Sequence, residues 1–125
     1  MRNSFKTPLV VEVMPSGKRF KLYFDFTYRW KYKDLTLIIK VPAGFVTDFA
    51  SIPQPFHWLI SKLGRYNKAT VIHDWIYQCG HSISRKMADL CFLDAMRDLG
   101  VAKWKRNLIY WGVRIFGFLV WRKRS

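Results

Sequence analysis

The sequence predicts an α+β protein, with strands first and helices after. Three observations carry that expectation. Residues 19–29, RFKLYFDFTYR, alternate apolar and polar side chains with a period of two. Residues 41–58, VPAGFVTDFASIPQPFHW, contain Pro42, Pro53 and Pro55, which forbid regular structure through most of that stretch. From about Pro55 onward the apolar spacing becomes helical.

In chain order, PLVVEVM (8–14) and LTLIIKV (35–41) flank the alternating run and are short and β-branched. PSGK and KYKD separate the three runs and suit turns. Residues 1–43 therefore predict a three-stranded antiparallel meander. The irregular segment that follows is of the kind that carries function in a small domain. A short helix is expected over PFHWLISKL and a second over YNKATVIHDWIYQC, ended by Gly80. A third starts at Ser84, a good N-cap, runs through RKMADLCFLDAMRDL and stops at Gly100. A last helix is expected over KWKRNLIYWGVRIFGFLVW. The 125 residues suit a single domain: meander at 1–43, loop and two-helix site region at 44–100, and a basic aromatic helix at 101–125.

Half of the residues are hydrophobic, which excludes a disordered chain. The net charge of +14 is spread unevenly. Residues 1–42 carry nine Lys and Arg against three acids, residues 43–102 six against five, and residues 103–125 seven against none. Cationic ends favour anionic partners: lipid head groups, nucleic acid or an acidic protein surface. The first residues lack an uninterrupted apolar core and a small-residue cleavage site, so no signal peptide is expected. Cys79 and Cys91 form neither a disulfide framework nor a paired metal motif, and free buried thiols in a reducing cytoplasm are the ordinary reading.

The informative residues are charged groups on apolar stripes. In VIHDWIY (71–77), His73 shares a helix face with Ala69, Ile76 and Tyr77. On the next helix Asp89 shares a face with Phe92, Leu93 and Met96. A short link joins the two helices and favours antiparallel packing. An aspartate that accepts the imidazole N–H fixes the tautomer and leaves the other nitrogen as a base, the arrangement that deprotonates a water. Asp74 points about a quarter-turn away from His73, toward an arginine or a metal. Asp48 and the loop carbonyls beside it, with Asp74, form the oxygen-rich set that calcium prefers. The plainer alternative is a satisfied core histidine, a turn or cap role for Asp48, and an ion pair for Asp74.

HDWIY followed by KMADLCFLDAM resembles the His-Asp-x-x-Tyr helix and the aspartate-bearing second helix of phospholipase A2, and TDFASIP resembles the calcium loop of its bacterial branch. The resemblance covers about residues 44–100. It implies that His73 activates the attacking water, that Asp89 orients His73, and that Tyr77 supports the pair. It also implies that Asp48, the carbonyl of Phe49 and Asp74 hold calcium, which polarises the ester carbonyl. Thr70 stands where that family carries a cysteine. The whole chain, from VPAGFVTDFASIP through HDWIY to the basic tail, resembles a family of short phage and prophage proteins, domain of unknown function 1353. That likeness implies a phage-encoded protein of the host cytoplasm or the virion, with phage structural proteins as partners.

In the tail, LIYWGVRIFGFLVW (108–121) is too short, and too polar at Arg114, for a membrane span. Lys103, Lys105 and Arg106 precede it, and Arg122, Lys123 and Arg124 follow. Such a helix suits an anionic membrane interface; nucleic acid is a partner on charge alone. Packing of Trp104, Leu108, Trp111, Ile115 and Phe118 on the sheet, whose apolar face needs a cover, is the preferred expectation. The two functional expectations are a calcium-dependent, phospholipase A2-like ester hydrolase and a non-catalytic phage structural or assembly protein on the same scaffold.

Overall fold

A computed structural model describes residues 4–5, 8–15, 19–47, 67–79 and 83–123. The chain divides into two compact units, Met1–Asp48 and Phe49–Ser125. The first is built of antiparallel strands and the second, as described, of helices, so the α+β class stands. The expected short helix over PFHWLISKL, together with Asp48 and Phe49, lies outside the described residues.

The first unit holds two three-stranded sheets. One has the order β1 (Ser4–Phe5), β4 (Phe26–Tyr32), β5 (Leu35–Val41), and the other β2 (Val11–Val13), β3 (Phe20–Leu22), β6 (Val46–Thr47). The alternating run that predicts one strand over 19–29 is thus shared between two sheets. The break falls at Tyr23–Asp25, where the backbone turns to other partners. Leu22 donates its N–H to Phe45 and accepts from Gly44, while Tyr23 donates to Val10. Gly44 sits at φ 92, a conformation that side chains with a Cβ rarely adopt. Asp25 holds the corner by accepting the Ala43 N–H at 2.8 Å and meeting Lys40 at 3.2 Å. The Ala43 hydrogen bond, and then Lys40, keep its carboxyl below the ordinary value.

Beyond the break the period-two pattern holds. Phe26, Tyr28 and Trp30 are fully buried, opposite Val41, Ile39 and Leu37 in register. Phe5 adds its ring against Tyr28 at 4.4 Å. Each of these large side chains contributes about 1.5–3 kcal/mol by leaving water.

The second unit contains α1 (Asn67–Cys79), α2 (Arg85–Asp98), α3 (Lys103–Phe116) and α4 (Phe118–Lys123). Helix α2 packs against both α1 and α3, and α4 returns to α1. Its core is Ala69, Ile72 and Ile76 of α1, Ala88, Phe92, Ala95 and Met96 of α2, and Ile109 and Val113 of α3. The ends of α2 are where the sequence puts them. The Ser84 side chain accepts the Met87 N–H at 3.2 Å. Gly100, at φ 79, donates to Arg97, and Val101 donates to Met96, closing the helix in a Schellman motif. The expected last helix is one residue-step discontinuous: it stops at Phe116, passes Gly117 and resumes as α4. Cys91 is free and buried.

Replacing the cap tests this reading of α2. Ser84→Ala should lower the unfolding free energy by about 1 kcal/mol in urea denaturation, leaving the helical signal of the folded state unchanged.

Candidate functional site

The site forms where α1, α2 and α3 meet, around one carboxylate. Helical spacing turns His73 and Tyr77, one turn apart on α1, toward Asp89 of α2. His73 Nε2 lies 2.7 Å from Asp89 Oδ1, and the Tyr77 hydroxyl donates to the same oxygen at 2.6 Å. The other oxygen, Oδ2, accepts from Arg114 Nη1 of α3 at 2.8 Å, with Arg85 Nη1 at 3.5 Å. His73, Tyr77 and Asp89 are fully buried. The imidazole is held between two rings, Tyr77 at 4.2 Å and Phe92 at 4.5 Å between centroids.

A buried carboxylate requires this density of donors. Burial, the largest influence, pushes the Asp89 carboxyl up. The hydrogen bond and charge of His73, with the bonds from Tyr77 and Arg114, outweigh it and leave the group below its ordinary value. Tyr77 moves the other way: burial first, then the charge of Asp89 and the bond to it, raise the phenol far above its ordinary range. Asp89 is therefore a fixed anion at neutral pH, and Tyr77 a fixed donor.

Arg85 and Arg114 were not anticipated from the sequence as parts of this site. Arg85 stands one helical turn before Asp89, and Arg114 is the residue that interrupts the apolar tail. Both signals are visible in hindsight. Arg85 also donates to the carbonyls of Val113 and Arg114, at 3.1 and 3.2 Å, and so binds α2 to the last turns of α3. Gly117 lets the chain pass close by: a Cβ there would stand 2.6 Å from the Tyr77 hydroxyl. Trp121 of α4 then packs edge-on against the Tyr77 ring at 5.2 Å.

Asp74 is also fully buried, and its Oδ2 accepts from Gln78 Nε2 at 3.0 Å, one turn along α1. Among the described residues no three His, Cys, Asp or Glu side chains converge as a metal site. Of the calcium set implied by resemblance only Asp74 is described, and a buried carboxylate is chemically suited to a hard cation. Among the tail cations Lys103 is exposed and Lys105 is half-buried, its ammonium 5.4 Å from the Trp104 ring centroid. Arg106 is half-buried and donates to the Val101 carbonyl at 3.0 Å. Arg122 and Lys123 end α4, and Arg124 lies outside the described residues.

Fold and site together define an α+β protein with a buried His–Asp–Tyr cluster clamped by two arginines. The chain belongs to the family described as Protein of unknown function (DUF1353), which matches residues 20–113. It is also similar to the uncharacterized protein y4jT of Sinorhizobium fredii, at 39% identity over 83 residues. That match covers 62% of this chain and 23% of the relative, so the chain spans about a quarter of that protein's length. No solved structure matches the chain.

Asp89→Asn should destabilise the protein by about 3–5 kcal/mol, because it removes the charge that a buried histidine and tyrosine and two part-buried guanidinium groups share. In the wild type the Asp89 contribution should be complete above the ordinary carboxylate value of 3.8 and be lost as pH falls through the lower value of the folded state. The raised phenol acts at the opposite limb. The unfolded chain ionises Tyr77 near its ordinary value of 10.0 while the folded chain does not, so stability should fall above that pH. Chemical denaturation across pH reads both limbs, and Tyr77→Phe should flatten the alkaline one. Gly117→Ala should cost about 1–3 kcal/mol by crowding the Val113 carbonyl and the Tyr77 hydroxyl, seen as a lowered thermal midpoint.

Proposed function

We propose that this chain is a phage-encoded ester hydrolase of the phospholipase A2 kind, in which His73 activates water. The observation that carries the reading is the 2.7 Å contact from His73 Nε2 to Asp89 Oδ1 on adjoining helices, with Tyr77 on the same oxygen. A neutral imidazole that donates from Nε2 carries its lone pair on Nδ1, and Nδ1 is then the atom that takes a proton from water. The hydroxide adds to the ester carbonyl, the tetrahedral intermediate expels the alcohol, and the imidazolium returns its proton to that leaving oxygen. While His73 is charged, Asp89 balances it. Arg114 and Arg85 keep Asp89 ionised and oriented, and Tyr77, held protonated, locks Oδ1 without competing as a base. Calcium, held by Asp48, the Phe49 carbonyl and Asp74, would supply the positive charge at the developing oxyanion.

A second reading has its own observation. Asp89 receives two arginines and is fully buried, as a purely structural ion-pair hub would be. In that case the chain is a non-catalytic phage structural or assembly protein.

The two readings part on chemistry. Fatty-acid release from anionic vesicles should require millimolar calcium, the weak end for such sites. It should fall roughly a hundred- to ten-thousandfold in His73→Gln. Asp74→Asn should abolish calcium binding in calorimetry while the fold persists by circular dichroism. A wild type that neither binds calcium at millimolar concentration nor releases fatty acid would leave the structural reading standing and end the hydrolase one.

A further inference from the structure

Helix α3 is apolar on two faces, one buried and one exposed. Ile109, Gly112 and Val113 face inward and are buried. On the other side Trp104, Leu108, Trp111 and Ile115 recur at i, i+4, i+7 and i+11, which places them in one stripe. They are 63%, 47%, 60% and 58% exposed, and Phe118 and Leu119 of α4 extend the exposed apolar surface. The expectation that Trp104, Leu108, Trp111, Ile115 and Phe118 are covered is not met. A solvated helix normally turns its polar residues outward, and a contiguous apolar surface of this kind marks an interaction site.

Charge decides what it meets. Residues 103–125 hold seven basic residues and no acid. Lys103 is exposed at the start of the stripe, and Lys105 lies over the Trp104 ring. A second copy of this chain would bring like charges together, which opposes pairing of the two stripes. A surface that is apolar at its centre and anionic at its plane satisfies both the tryptophans and the lysines. No described helix is long and apolar enough to cross a membrane.

We propose that the Trp104–Leu108–Trp111–Ile115 face of α3 docks on an anionic lipid bilayer, lying in the plane of the head groups. The rings would sit at head-group depth, with Lys103 and Lys105 against the lipid phosphates. The docking surface uses residues separate from His73 and Asp89. Its further meaning, that it delivers lipid esters to the site, rests on the hydrolase reading.

Flotation of the full chain with vesicles tests the surface with calcium chelated, so that docking and hydrolysis fail or succeed separately. The protein should float with vesicles containing phosphatidylglycerol, not with phosphatidylcholine alone, and high salt should release it. Brominated lipid should quench tryptophan emission of the wild type. Trp104→Ser with Trp111→Ser, both at exposed positions, should reduce binding at least tenfold and remove the quenching while the thermal midpoint holds. Lys103→Glu with Lys105→Glu should weaken binding to anionic vesicles selectively. Absence of wild-type flotation, or flotation without quenching, overturns the proposal. So does a self-association or duplex DNA binding that the tryptophan substitutions abolish while vesicle binding is absent.

Discussion

The helical unit depends on how one buried negative charge is kept. An isolated carboxylate in an apolar interior neutralises itself by taking a proton. Asp89 avoids this because three helices each bring donors: His73 and Tyr77 from α1, Arg114 from α3, and Arg85 from its own helix. The packing of α1, α2 and α3 is therefore specified by directional bonds as well as by shape. Leucine or phenylalanine in these places would tolerate a rotated helix; a carboxylate with one oxygen for α1 and the other for the arginines would not. The same requirement explains why polar residues stand within the apolar stripes.

Much of the helical unit was legible in the sequence. The Ser84 cap and the Gly100 stop are local chemistry, decided within a turn of the chain, and both appear as read. The His73–Asp89 pair was legible because each residue violates the apolar pattern of its own helix. The strands were legible as strands but not as sheets. Alternation specifies which side chains turn inward, as Phe26, Tyr28 and Trp30 do, yet not which neighbour a strand takes. That choice was made by hydrogen bonds from Leu22 and Tyr23 to residues far along the chain.

The arginines show the other limit. With 22 cations, the spacing of Arg85 before Asp89 and the interruption of the apolar tail by Arg114 are weak signals on their own. Only the meeting of α2 and α3 selects them. The tail was legible in composition and not in exposure, since an apolar stripe at helical spacing reads the same whether it is covered or exposed. Asp74 was singled out on the same grounds as His73, and its amide partner Gln78 is a local, one-turn contact.

Arg85 has a consequence for mechanics. Its guanidinium grips two carbonyls near the end of α3 and at the same time stands beside Asp89. The last turns of α3 are thus tethered through that side chain to the centre of the unit, not solely through the covalent chain. A load that draws α3 away from α2 acts on the Arg85 clasp and on the Arg114 contact with Asp89. Drawing α3 away would part Arg114 from Asp89, while Arg85, which shares α2 with that carboxylate, would stay beside it.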